Sequence, residues 1–501
     1  MKTMVSRALA CLGLLAAFAT SAQENVRFSD LAGWWSAQPE FGGDSAQMAL
    51  QFVEKEGKQE LQLSAPALGV YDYPLGELTL SGNSLNTKGL AFPLTWNAAT
   101  RTLSGQIPNE IAPVYNIPIE FRRGEPVVKT PLPEWKAPRP TVAWTLDTGA
   151  AVWAGIERDP KSGLLFVANE NGVVHAIDAG GKVRWKFETG KPIRAQPRVI
   201  GKFVYVASDS GYLYKLARDT GTEAWRARID QDSEPRIPTN QEKSRWDRYG
   251  SGVVSDGRHL YVASRDKNLY ALDLKTGAER WRLTAGDIMT ATPVLYRDSV
   301  IFAAYDGKVR AVSVKDAAPR WTYDAILAVP GDLTIAGDRV LVGSRSYDLI
   351  ALDASSGKEL WKTYYWFSWI ESPAVVRDGV VYTGSSDATK VYAIDLADGA
   401  VRWKTSVPGW SWQRTAVNDE LVITGTAGVG AFPGSRSGSL LALDRATGAI
   451  RWIYLDPPSE EIIKAGKGWG FGASPVIHDN QVFAADLNGK VYAIEISGGK
   501  S

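Results

Sequence analysis

The feature that most restricts what this chain can fold into is a unit of about forty residues, recurring from residue 164 to the C-terminus. Its clearest copies are LYVASRDKNLYALDLKTGAERW (260–281), VLVGSRSYDLIALDASSGKELW (340–361) and VVYTGSSDATKVYAIDLADGAVRW (380–403). Each runs through an alternating apolar strand, a polar turn, a second strand ending near Leu-Asp or Ile-Asp, a Gly-bearing turn, and a Trp. Period-two placement of Val, Ile, Tyr and Leu predicts half-buried antiparallel strands. Thr276-Gly277, Ser356-Gly357, Asp398-Gly399 and Thr447-Gly448 read as tight turns, where glycine accepts positive φ without steric cost. A further strand precedes most copies, as at Thr292-Pro293-Val294, Ser372-Pro373-Ala374 and Ser474-Pro475-Val476. Proline is tolerated at a strand start, where the missing N–H does least harm. Four antiparallel strands per unit make a propeller blade.

The tryptophans give the blade number. Trp185, Trp225, Trp281, Trp321, Trp361, Trp403 and Trp452 mark seven units, and the last copy, VFAADLNGKVYAIEI (482–496), stops before its Trp. The missing strand is available upstream in TVAWTLDTG (141–149), which carries Trp144 in the same context. The expectation is an all-β, eight-bladed propeller over 141–496 whose last blade is closed by that N-terminal strand, removing an exposed sheet edge. A seven-bladed ring would leave Trp144 outside. These eight indoles are expected to pack between neighbouring blades and serve stability.

The repeat resembles the PQQ-type propeller repeat shared by quinoprotein alcohol dehydrogenases and by the outer-membrane assembly factor family of BamB. The resemblance covers about residues 141–496 and is specific for fold. It implies a choice between a BamB-like binding scaffold and a PQQ/Ca²⁺-dependent dehydrogenase, because the repeat encodes blade packing and not a cofactor site.

Ahead of the propeller, residues 23–125 lack the repeat. Short alternating stretches such as LQLSA (61–65), ELTLSG (77–82) and IPIEFRR (117–123) predict a small β-barrel or sandwich. In pattern it resembles the lipocalin-like module found ahead of some secreted hydrolases. The Pro-rich stretch 126–140 reads as a semi-rigid extended linker, and 497–501 as a tail. At the start, Lys2 and Arg7 followed by an apolar run from Ala8 to Phe18 read as a secretory signal, with cleavage after Ala22. The single cysteine, Cys11, lies inside that segment, so the mature chain is expected to have no disulfide, thiolate zinc site or c-type haem attachment. No later segment is apolar enough to be transmembrane. Removing residues 1–22 changes the formal charge from +1 to −1, and a near-neutral surface argues against nucleic acid as partner. The expectation is a monomer in the periplasm or secreted, with peripheral outer-membrane association open.

Nineteen tryptophans exceed the eight blade markers by eleven. Trp34, Trp35 and Trp96 belong to the first module and Trp135 to the linker. Trp153, Trp246, Trp366, Trp369, Trp410, Trp412 and Trp469 all fall between the outer strand of one blade and the inner strand of the next. Those connections emerge on one face, so the seven indoles are expected to line a funnel there. Polar residues share the connections: Glu157, Arg194, Arg248, Tyr249, Glu371 and Arg414. Two insertions, 229–249 and 455–471, lengthen the same rim. Loops on a rigid scaffold commonly carry binding sites, and this set is the candidate ligand-binding surface. The competing reading is that the indoles pack on one another and cap the funnel.

Three chemistries suit such a face. A non-catalytic propeller would take a peptide, a protein loop or a glycan on stacked indoles, with no cofactor, metal or catalytic residue. His175, His259 and His478, in or beside blade strands, read as satisfied structural histidines. A quinoprotein dehydrogenase would need an indole against PQQ, arginines for its carboxylates and oxygen ligands for Ca²⁺. A polysaccharide-cleaving enzyme would draw on Glu157 and Glu371, although loop carboxylates are usually solvated. Acidic turn residues Asp266, Asp306 and Asp387 are explained by turn chemistry.

Overall fold

The computed structural model describes residues 25–41, 44–45, 47–66, 70–90, 92–107, 117–127, 134–237, 244–365, 368–429, 437–465 and 467–496. The signal segment and Trp366 lie outside the described residues.

Eight four-stranded antiparallel sheets follow one another along the chain, one of them carrying an added fifth strand. Blade 1 is Glu157–Arg158, Leu165–Ala168, Val173–Ile177 and Val183–Glu188, and blades 2 to 7 repeat this meander. Blade 8 takes three strands from the C-terminus, Val476–His478, Gln481–Ala485 and Lys490–Glu495, and its fourth, Val142–Asp147, from upstream of blade 1. Trp144 pairs with Ala493 and Leu146 with Val491. The ring therefore closes through the strand expected from sequence, and the count is eight.

The marker tryptophans show why the unit repeats. The Nε1–H of Trp144, Trp185, Trp281, Trp321, Trp361 and Trp403 each donates to a carbonyl in the last turn of the next blade, at 2.8 to 3.1 Å. The indole also lies flat on the glycine of that turn. A Cβ on Gly221 would sit 2.6 Å from Trp185, and one on Gly357 2.6 Å from Trp321. Both glycines have positive φ, +73° and +72°, so conformation and contact each demand the residue. Burying an indole this way is worth roughly 2–3 kcal/mol per interface. Blade 4 departs from the rule with Ala317, at φ 57°. Trp225 departs as well, because Lys215 Nζ donates to the Leu274 carbonyl at 2.8 Å and leaves the buried Trp225 Nε1 unpartnered.

The first module is one nine-stranded antiparallel sheet that curls into a barrel-like shape. Its two terminal strands, Val70–Glu77 and Thr79–Ser81, are joined through Leu78, so the sheet's edges meet in sequence. Trp35 and Trp96 meet edge to face at 5.7 Å in its core, and Trp35 Nε1 donates to the Leu31 carbonyl at 2.6 Å. The linker is not a free spacer over its described part. The Pro138 carbonyl accepts from Ile453 N at 3.0 Å, Trp135 and Ala137 pack on a core cluster shared by blades 6 and 7, and Arg139 covers the Tyr454 ring at 4.7 Å.

Candidate functional site

Each blade's first strand lines the axis, and the connections between blades gather at one end of it. The insertion 229–249 joins the outer strand of blade 2 to the inner strand of blade 3. It was expected to extend the rim. Instead its end turns inward, with Asp247 and Arg248 each 4% exposed. The reason is electrostatic. Glu371, from blade 6, accepts from Arg248 Nη2 at 2.5 Å and from Arg345 Nε at 2.8 Å, and the Arg248 and Glu371 side chains are 3% and 0% exposed. Arg345 also donates to the carbonyls of Arg245 and Trp246, tying the insertion to blade 5. Asp247 binds Arg265 and Arg236, Arg236 binds Asp209, and Arg194 binds Glu170 and Asp209.

The indoles complete this plug. Trp410 and Trp412 stack at 4.6 Å, Trp153 lies 6.5 Å from Trp412, and Trp246 meets Trp369 and Trp410 edge-on at 6.4 Å. Trp410 Nε1 donates to Asp387 Oδ1 and Trp412 Nε1 to Ser386 Oγ. The Arg248 guanidinium covers Trp412 at 3.4 Å, and that of Arg345 covers Trp369 at 4.4 Å. Trp153, Trp246, Trp369, Trp410 and Trp412 are thus brought together, but Trp410, Trp412 and Trp153 are only 1%, 2% and 8% exposed. They fill the funnel rather than line it, because stacked indoles lose less by covering one another than by facing water. Trp469 sits at 5% exposure on an added strand, Gly468–Gly470, with its ring over Gly428 of blade 7.

Glu157 and Glu371 are both engaged rather than solvated. Glu157 accepts from Val199 N at 3.0 Å, and burial raises its carboxyl above the usual range against the opposing pull of Arg198. Arg414 approaches Asp332 at 3.4 Å in the axial channel. His259 and His478 face Asp256 and Asp479, whereas His175 is buried with Nδ1 unpartnered, and burial pulls it down to about 4. It is not the satisfied residue expected. Asp387 does more than shape a turn, since it anchors an indole.

Two spaces flank the plug. On its inner side a cavity of about 40 Å³ is bounded by Arg194, Tyr249, Glu371, Trp412, Gln413 and Arg414. It shares Gln196, Asp332 and Arg414 with a channel space of about 340 Å³ along the inner strands. On the outer side a groove of about 700 Å³ runs between the two insertions, over Trp153, Arg194, Arg236, Arg248, Ile462 and Lys467.

Arg345, Arg236 and Ser386 were missed from sequence. A trace of Arg345 was present, since Ser264-Arg265 and Ser344-Arg345 open the same turn in two copies of the repeat, and both arginines hold the plug.

The family model for the outer membrane protein assembly factor BamB matches residues 137–240, 209–365 and 366–501, which together take in the whole propeller. The chain belongs to the BamB family. The family match begins at residue 137, so the N-terminal barrel-like module lies ahead of it. BamB of Burkholderia pseudomallei is 28% identical over 187 residues, which is 36% of this chain and 45% of that relative's length. The crystal structure of BamB from Moraxella catarrhalis superposes with a TM-score of 0.54 at 17% identity, covering 72% of this chain and 99% of that one. The quinohemoprotein alcohol dehydrogenase from Comamonas testosteroni gives the same score at 14% identity, covering 72% and 77%. Likeness at that identity shows the fold alone.

The dehydrogenase neighbour makes the fit of a tricyclic quinone worth testing. Such a group needs an open indole face and a pocket of a few hundred Å³. A guanidinium at 3.4 Å and an indole at 4.6 Å cannot share one face of Trp412, so both its faces are taken. The space beneath measures about 40 Å³. Trp412 and the space beneath it do not fit that cofactor.

Proposed function

We propose that this BamB-family chain is an exported, non-catalytic scaffold of the cell envelope that binds an extended protein segment across its plugged mouth. The reading is supported above all by the groove of about 700 Å³ between the two insertions. Its floor is rigid, because buried indoles and ion pairs fix it, and a pre-organised floor loses little entropy on binding. Its walls mix apolar and charged side chains, with Ile462 beside Lys467 and Arg194 beside Glu170, which suits a polypeptide with alternating character. The scaffold acts as a monomer in the periplasm, at the periphery of the outer membrane, as the assembly role of its relatives implies.

The test is a titration of the purified mature protein with peptides from an unfolded outer-membrane barrel protein and, separately, with soluble glycans. Peptide binding should weaken about tenfold or more in Ile462→Asp/Lys467→Glu, since one desolvated anchor is worth 1–2 kcal/mol. Lys464→Glu, a substitution outside the groove lining, serves as control. Peptide affinity indifferent to the groove variant would sink the assignment. Glycan binding without peptide binding would redirect it.

A further inference from the structure

One wall of the outer groove is fastened to the ring at its root. The insertion 455–471 supplies Ile462, Lys467 and Gly468 to the groove. Its helix, Glu460–Lys464, has no buried residue, so packing along its own length does not hold it. The strand Gly468–Gly470 does the holding, paired with Ala427, Gly428 and Val429 of blade 7. Gly470 is the last link. Its N–H donates to the Asp456 carboxyl, where the insertion leaves blade 7, and its carbonyl accepts from Leu487 N of blade 8 at 2.8 Å. A Cβ on Gly438 would lie 2.3 Å from the Gly470 Cα, which leaves this junction no slack.

The junction brings two carboxyls together. Asp486, next to Leu487, is fully buried and accepts from Asn488 N at 2.9 Å, Lys490 N at 2.8 Å and the Tyr492 hydroxyl at 2.7 Å. Asp456 faces it with the Gly470 N–H as donor, and its Oδ2 is buried without a partner. The other groups around Asp456 are Lys490 and Tyr492 of blade 8 and Tyr454 of its own strand, whose ring Arg139 covers. Burial and the like charge of Asp486 push the Asp456 carboxyl up to about 6, against Lys490 and the Gly470 N–H. Burial raises Asp486 too, but its three donors favour the ionised form. The coupled pair therefore holds one proton, and Asp456 carries it.

We propose that Asp456 is a proton-operated latch on the groove wall, closed when its carboxyl is protonated against Asp486 and released when both are ionised. Its consequence for binding rests on the outer groove being the binding surface, whereas the latch is a property of the protein alone. Opening the wall returns Asp456 to water and to its ordinary value, so the closed wall holds the proton more tightly. The closed state is favoured in acid and loses ground as pH rises from about 4 through about 6. A partner that needs the wall in place would be gripped at low pH and let go near neutrality.

Hydrogen exchange of the mature protein, read by mass spectrometry across that range and corrected for intrinsic rates, tests the latch. Opening of residues 460–471 should rise about fiftyfold from about pH 4 to about pH 7. Asp456→Asn keeps the shape and an acceptor for Gly470, and should hold the wall at its acid level throughout. Asp348→Asn, which removes a buried carboxyl in blade 5, should leave the wall's response as in the wild type. A wall whose opening ignores pH, or whose response survives in Asp456→Asn, would overturn the latch, and the wild-type profile decides even if a variant misfolds. Titration with a barrel-protein peptide at both ends of the range keeps the two readings apart. Affinity that falls with pH in the wild type but not in Asp456→Asn would join them. No peptide binding at either end would sink the function of the groove and leave the latch to the exchange data.

Discussion

Replacing Glu371 by glutamine tests whether the plug is held electrostatically. Gln keeps the shape and two hydrogen-bonding atoms but removes the charge that two buried guanidiniums share. A surface ion pair would cost less than about 1 kcal/mol to lose. This carboxylate is fully buried, Arg248 is 3% exposed and Arg345 9%, so solvent cannot step in. Breaking a buried pair from one side costs about 3–5 kcal/mol, because the abandoned charge stays desolvated. The abandoned charges here are two, and the upper half of that range is expected. The loss should also be local. Arg345 holds the insertion through the Arg245 and Trp246 carbonyls, so Trp246 should loosen before the blades do. Urea denaturation gives the global figure, and acrylamide quenching of tryptophan fluorescence at low denaturant reports the mouth. A loss below about 1 kcal/mol with unchanged quenching would refute the reasoning, since it would mean that water already reaches the triad.

Three further outcomes follow from the same physics. Gly357→Ala should cost about 2–4 kcal/mol more than Gly190→Ala, because both have positive φ (+72° and +75°) but only the former would drive a Cβ into an indole; equal losses in urea would remove the indole contact from the account. Burial pushes the Asp348 carboxyl up to about 7, with Lys362 opposing, so the folded state holds its proton more tightly than the unfolded chain does. Wild-type stability should therefore fall as pH rises from about 4 to about 7. Asp348→Asn should match wild type near the lower limit and exceed it by roughly 2–4 kcal/mol above the upper one, and parallel pH profiles of the two proteins would contradict this. Lys215→Met should be tolerated within about 1 kcal/mol, because the freed Leu274 carbonyl can then take the Trp225 indole N–H, as six of the other blade markers are bonded; a larger loss would show that the lysine's place over Phe203 matters more.

The ring was readable from the chain because each of its determinants is local. Trp281, Trp321 and Trp361 stand at the same distance after their turns, and a repeat is visible without knowing what it touches. Blade 8 could be closed on paper for the same reason, since Trp144 has the surroundings of a blade marker and the last copy lacks one. The plug was not readable. Arg248 and Glu371 are 123 residues apart, and nothing near either says that they meet. The described connection indoles share one end of the ring by topology, which sequence does give. Whether they face water or one another depends on side-chain packing across several blades, which it does not. Burial of Glu157 and Glu371 escaped for the same reason.

The strand Val142–Asp147 pairs with Lys490–Glu495, so the first and last strands of the ring are hydrogen-bonded neighbours. A chain made from its N-terminus must keep the early strand waiting while some 350 residues follow, and contacts of such long range form late. Until the final strand arrives, the circle is an open fan with two raw flanks, where a chaperone could gain hold or a second copy could trade its end. Closure of the toroid thus waits on the strand Lys490–Glu495, and a chain cut ahead of that strand should stay a fan.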